Sequence, residues 1–376
     1  MTKQANSFFL FLFGLLMLSC QGNEKKNSLQ GEEITFKYAQ LVKMWAYEDF
    51  QKLEIQNPWD TAYTLQTYLL VDKDKDLPED LPEGIVLRTP LQNAVVYTTV
   101  HCALLCELTA SEAISGVCDL EYIQPHLIKE RCVQGKIADL GSSMGPDIEK
   151  MISLNPDAVL LSPFKNSGGH GELDKFGMPI FECADYMEKE ALGRAEWIRI
   201  YGKLFGQEAK ADSIFSQVEN DFNKMQTEAA KDSSSPRPVL LYGMRNGSAW
   251  YVPGGNSYMA KLFKAAGADY LFAQSEHSGS EPLAFETVFD KGYNADIWLF
   301  LYNQEKDKTY KDLESYSDFK SYKTKNIFAC NTGKIPYYDE TPFHPERLLY
   351  DLCLLFHAKK EPIGDEKLHY YRNLAE

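Results

Sequence analysis

Two aspartates, Asp157 and Asp296, stand directly before the apolar runs Ala158-Val-Leu-Leu and Ile297-Trp-Leu-Phe. They are the pair that acid–base chemistry would use. Each closes an Asn-x-Asp step, Asn155-Pro-Asp157 and Asn294-Ala-Asp296, where a short carboxylate readily bonds neighbouring backbone. Structural turn residues are therefore the better expectation. A glutamate precedes each step by a similar interval, Glu149 and Glu286, near the start of a helical pattern. A carboxylate there complements the helix dipole, and the repetition implies two related lobes. The metalloprotease HExxH and the P-loop pattern are absent from the sequence. Of eight cysteines, Cys20 ends an apolar run, and Cys102, Cys106, Cys118, Cys132, Cys183, Cys330 and Cys353 remain. They form no CxxC pair, lack zinc-finger histidine spacing, and are too odd in number to pair completely; most read as small buried residues.

The N-terminus carries its own chemistry. Lys3, the apolar run from Phe8 to Leu18, and Ser19-Cys20-Gln21-Gly22 have the layout of a secretory signal over residues 1–19. The run is too short for a comfortable membrane span, which needs roughly 20 residues. The placement of Cys20 resembles a bacterial lipobox, which implies acylation of Cys20 and a polar tether over residues 20–31. The formal net charge of -15 excludes a nucleic-acid partner, because binding phosphates needs a basic surface. With 44% hydrophobic and 25% charged residues over 376 positions, the chain is expected to be globular, with room for two domains.

Alternating aromatic and β-branched residues predict a β-rich segment over residues 32–92. From residue 93 to 206, short apolar strands alternate with helices, the pattern of a doubly wound α/β lobe. Residues 207–230 form a long amphipathic pattern, with Ala211, Ile214, Phe215, Val218, Phe222 and Met225 on one face. Such a helix spans about 36 Å, enough to cross from one lobe to another. A second α/β region follows over residues 231–376.

Three segments resemble the substrate-binding proteins of ABC importers for ferric siderophores, cobalamin and haem. They are Gly145-Pro-Asp-Ile-Glu-Lys-Met-Ile-Ser-Leu-Asn-Pro-Asp-Ala-Val-Leu, Phe263-Lys-Ala-Ala-Gly-Ala-Asp-Tyr-Leu-Phe with Pro282-Leu-Ala-Phe-Glu, and Phe343-His-Pro-Glu-Arg-Leu-Leu-Tyr-Asp-Leu. The resemblance implies two Rossmann-like lobes with mainly parallel sheets joined by one rigid helix. It implies a monomeric, non-enzymatic receptor without an intrinsic cofactor, anchored at the cell envelope and facing the periplasm. Its cargo would be a ferric siderophore foremost, or cobalamin or haem, delivered to a permease and its ATPase. Glu149 and Glu286 match the positions that dock the permease.

Cargo is then expected between the lobes, at loops leaving the carboxyl ends of strands. The residues placed there by motif order are Thr99, His101, Tyr122, Ser143, Met144, Phe164, His170, Arg245, Trp250, Ser280, Tyr302, Tyr338 and Phe343. Aromatic rings suit a corrin, porphyrin or catecholate face, and Arg245 suits an anionic group. His101, His170 or Tyr338 could ligate haem iron. Ser143 and Ser280 lie where some cobalamin binders carry tryptophan, which ranks cobalamin lower. The competing expectations are a secreted two-lobed hydrolase and a module that senses or stores its ligand.

Overall fold

The computed structural model describes residues 31–165, 169–231, 236–357 and 367–374. Cys20, the signal sequence and nearly all of the tether lie outside the described residues. The chain folds into two α/β lobes and a bridging helix, as the resemblance implies, preceded by the N-terminal sheet that the alternation predicts.

The N-terminal sheet runs in the order Glu32–Ile34, Val42–Ala46, Gln51–Gln56, Thr64–Asp72, Ile85–Thr89. Its first four strands are antiparallel and the fifth is parallel to the fourth. Alternation puts Met44, Leu53, Ile55, Tyr68 and Leu87 on one face, and these belong to the same buried core as the lobes. Two buried carboxylates fasten the connection between the first two strands. Glu196 accepts N–H bonds from Lys37, Tyr38 and Ala39 at 2.8, 2.7 and 2.9 Å. Glu188 accepts from Gln40 and Leu41 at 3.0 and 2.9 Å.

The first lobe holds five parallel strands in the order Ile180–Glu182, Ala158–Leu161, Ala94–Val96, Ile114–Val117, Ala138–Asp139. The second runs Asp269–Tyr270, Val239–Tyr242, Ile297–Tyr302, Ile327–Asn331 in parallel, with antiparallel Arg372–Asn373 at the edge. An Asn-x-Asp step fixes the start of Ala158–Leu161 in one sheet and of Ile297–Tyr302 in the other. Asp157 donates its N–H to Asn93 O at 2.7 Å and accepts from Gln92 and Asn93 N–H at 2.7 and 3.0 Å. Asp296 donates to Val239 O at 2.9 Å and accepts from Val239 N–H at 2.8 Å. Each carboxylate also pairs with a lysine, Lys73 or Lys320. The two aspartates latch strands and stand in different lobes, as their turn context predicts.

The bridging helix is Glu208–Lys231, 24 residues long, with Ala211, Phe215, Val218 and Phe222 buried. It packs on Ile198–Leu204 of the first lobe and Pro345–His357 of the second. The approach to the first is close enough that a Cβ on Gly202 would fall 2.5 Å from that of Ala211. Further bonds join the lobes along their inner edge. Thr99 donates to Asp339 at 2.8 Å, Lys261 pairs with Glu190, and His344 Nε2 lies 2.9 Å from both carboxylate oxygens of Glu107.

Candidate functional site

A cleft of about 980 Å³ opens between the lobes. Its first-lobe wall is Val100, the segment Tyr186 to Lys189 and Arg194. These follow the carboxyl ends of Ala94–Val96 and Ile180–Glu182. Its second-lobe wall comes from residues after Val239–Tyr242 and Ile297–Tyr302, from a hairpin, and from the turn of helix at Tyr337–Glu340. The hairpin, Arg245–Asn246 with Ala249–Pro253, pairs with Ser280–Leu283 as a small antiparallel sheet. Gly243 starts it at φ 90, and a Cβ there would meet Tyr251 O at 2.2 Å. Only glycine lets the strand turn so tightly against the hairpin.

Four of the expected contact residues line the cleft: Arg245, Ser280, Tyr302 and Tyr338. Three others belong to the core, which corrects their expected placement. His101 is buried between Thr98 Oγ1 (2.6 Å), Asp185 Oδ1 (3.0 Å) and Tyr201 Oη (2.9 Å). Its ring nitrogens are engaged inside the protein. Trp250 donates its indole N–H to Tyr242 O at 3.1 Å and stacks on Trp298 at 5.5 Å. Phe343 is buried with its ring edge-on to Tyr201 and His101. The pleat of Ala249–Pro253 turns the Trp250 ring inward, and Phe343 is buried in the turn between Tyr337–Glu340 and Pro345–His357.

The remaining expected residues stand outside the cleft lining. Thr99 adjoins Val100, but its hydroxyl is occupied by Asp339 and the N–H of Gln124. Tyr122, Met144 and Phe164 are exposed at other strand ends of the first lobe. Ser143 bonds Asp119 through both its N–H and its hydroxyl, and His170 pairs with Glu182 at 2.6 Å. Glu149 and Glu286 are exposed in the first turns of Ile148–Leu154 and Phe285–Gly292.

The cleft also holds residues that the sequence did not single out: Pro58, Tyr186, Lys189 and Arg194. The signal for three of them was the strand ending near Glu182, whose following loop sits at a strand end like the others. Pro58 carried no such signal, because its sheet is joined to the lobe only by distant contacts.

A family model described as periplasmic binding protein matches residues 95–332. The chain belongs to that family. An uncharacterized lipoprotein of Methanocaldococcus jannaschii is 26% identical over 323 residues, covering 82% of this chain and 76% of the relative. Among solved structures, the TroA-like periplasmic binding protein FepB of Veillonella parvula has a TM-score of 0.58 at 16% identity, covering 77% of this chain and 97% of that one. IsdE of Staphylococcus aureus, complexed with heme, has a TM-score of 0.55 at 19% identity, covering 70% and 98%. Among the described residues, no helix of this binding protein is long and apolar enough to cross a membrane.

The cleft of the binding protein has a charge opposite to that of the chain. Lys189, Arg194 and Arg245 line it, against Asp312 and Glu188. Glu188 is already occupied by backbone N–H groups and by the indole N–H of Trp197 at 3.0 Å. Arg194 is positioned from behind by Asp185, whose Oδ2 lies 3.4 Å from its Nε. Burial would raise the Asp185 carboxyl, but the charges of His101 and Arg194 hold it below the ordinary range. Burial pushes the phenols of Tyr186, Tyr302 and Tyr338 upward. They therefore offer neutral hydroxyls and flat apolar faces beside three cations of the lining. Among the described residues, no cluster of three His, Cys, Asp or Glu could hold a metal ion by itself.

Proposed function

We propose that this binding protein captures an anionic iron complex, a ferric siderophore, in the interlobe cleft and delivers it to an ABC importer. The observation that carries this is the tyrosine-lined cleft of about 980 Å³ with Lys189, Arg194 and Arg245 on its walls, in a chain of formal charge -15. Its volume lies at the upper end of small-molecule sites, about 300–1,000 Å³, as a bulky chelate requires. Cations set in a half-enclosed site retain attraction that bulk water would screen. The chelator supplies all the iron ligands, so the protein needs only to match shape and charge. Cys20 holds the mature chain to the membrane through an acyl group, in keeping with the lipoprotein relative. Glu149 and Glu286 meet the permease.

Haem is the second reading, supported by the haem-bound neighbour and by Tyr338, 54% exposed in the cleft. With His101 engaged in the core, the described lining offers tyrosines and methionines, and no histidine, as iron ligands.

Tryptophan-fluorescence and absorbance titrations with a ferric tris-catecholate, a ferric trihydroxamate, haem and cobalamin test the assignment. Tightest binding is expected for the tris-catecholate, weakened by salt and by about tenfold in Arg194→Gln, the loss of about 1.4 kcal/mol. A protein that binds none of the four ligands ends the proposal, and a haem Soret shift with no chelate binding selects the second reading.

A further inference from the structure

The family match begins at residue 95, yet the cleft has a wall that precedes it. Pro58 lines the cleft beside residues of both lobes. It sits in the connection between Gln51–Gln56 and Thr64–Asp72, two adjacent strands of the N-terminal sheet.

That connection is built to hold one shape. Asp60 N–H donates to Asn57 O at 3.2 Å, which closes a β-turn with Pro58 at its second position. Proline presets the backbone angle that this position needs. The Asn57 side chain accepts from Trp59 N–H at 3.0 Å, and Asn57 N–H donates to Tyr63 O at 2.9 Å across the base. The base is tied to the cleft wall by a short relay. Gln56 N–H donates to Leu41 O at 2.7 Å. Leu41 N–H donates to Glu188 Oε1 at 2.9 Å. Glu188 lines the cleft next to Lys189. On the sheet's next strand, Tyr68 Oη accepts the N–H of Glu182 at 2.9 Å, fixing it to the strand whose end leads into that wall.

From this we infer that the turn at residues 57–63 is a third wall of the binding site, which selects among iron chelates by bounding the cleft next to Lys189 and Arg194. The inference rests on the proposed chelate-binding function and adds to it the part of the molecule that sets ligand preference. A proline ring offers a rigid apolar face suited to the flat aryl groups of a catecholate. Its fixed position limits how far a chelate can extend out of the cleft on that side.

The test places charge on the turn. Pro58→Asp and Pro58→Lys both lose the proline, so any loosening of the turn is common to the pair. Only a ligand close to position 58 distinguishes them. With a trianionic ferric tris-catecholate at low salt, the lysine variant should bind about tenfold or more tightly than the aspartate variant, and the gap should shrink as salt rises. With a neutral ferric trihydroxamate the two should agree. Equal affinities of both variants for the tris-catecholate, with wild-type protein binding it well, would overturn the inference and leave the proposed function standing. No binding by the wild-type protein would instead remove the function on which the inference rests. A further variant replaces residues 57–63 by Asn-Gly, which suits a two-residue hairpin connection. With unchanged melting temperature, it should lose the preference between bulky and compact chelates; an unaltered preference counts against the third wall.

Discussion

His344 joins the lobes by charge as well as by position. Its Nε2 faces Glu107 from the first lobe, and its Nδ1 lies 2.9 Å from Glu346. Burial alone would lower its pKa, but the two carboxylates outweigh this and raise it to about 9. For Glu107, burial would raise the pKa, and the bond to His344 lowers it instead. A histidine whose folded pKa exceeds its unfolded value of about 6.5 gives its full stabilisation below that value. The stabilisation is lost as pH climbs through about 9. The Glu107 contribution is present above its unfolded value near 4.5 and is lost in acid. The bridge should therefore be strongest between about pH 5 and 6.5. Denaturant melts of wild type and His344→Gln should differ by roughly 3 kcal/mol less at pH 9.5 than at pH 6. A difference that stays flat over this range would mean that folding leaves the His344 pKa unraised.

At the scale of elements, the N-terminal sheet is held by a few buried acceptors. Glu196 is fully buried and receives three backbone N–H groups of the segment that leads into the second strand. In Glu196→Ala these donors lose their partner, and stranded donors cost about 1–3 kcal/mol each where water cannot reach them. A loss of about 3 kcal/mol or more is expected in equilibrium unfolding, and less in Glu196→Gln, which keeps an acceptor oxygen. A cost near zero for both would show that the sheet is peripheral to the fold. The same element marks the limit of what could be read in the sequence. Asp157, Asp296 and the buried stripe of Glu208–Lys231 were legible because turn bonds and helical periodicity are local. The alternation of the N-terminal strands was legible too, but the docking of that sheet on Glu188 and Glu196 was not, since those contacts span about 150 residues. Among the cleft residues, Arg245, Ser280, Tyr302 and Tyr338 follow strands whose ends could be located. Trp250 and Phe343 were expected at the same ends, but whether an aromatic ring points inward depends on partners far along the chain, here Trp298 and Tyr201.

At the scale of the whole molecule, the bridging helix and the bonds at the inner edge keep the two lobes in one arrangement. This bears on Glu149 and Glu286. Two carboxylates can report a particular orientation to a partner only if the distance between them is fixed, and a stiff frame fixes it. Both are exposed, at the first turns of equivalent helices, and neither lines the cleft. An exposed carboxylate adds under about 1 kcal/mol to its own lobe. In a protein interface, deleting one member of a charge pair costs roughly 2–5 kcal/mol, partly because the other charge is left unpaired. The double variant Glu149→Gln/Glu286→Gln should therefore bind chelate and melt as the wild type does. In vesicles carrying the importer, its stimulation of ATP hydrolysis and its support of uptake should both collapse. Each single variant should lose part of this, and salt should weaken the wild-type interaction. Normal transport by the folded double variant would exclude docking through these glutamates. Weakened chelate binding would place them at the ligand and contradict the cleft described above.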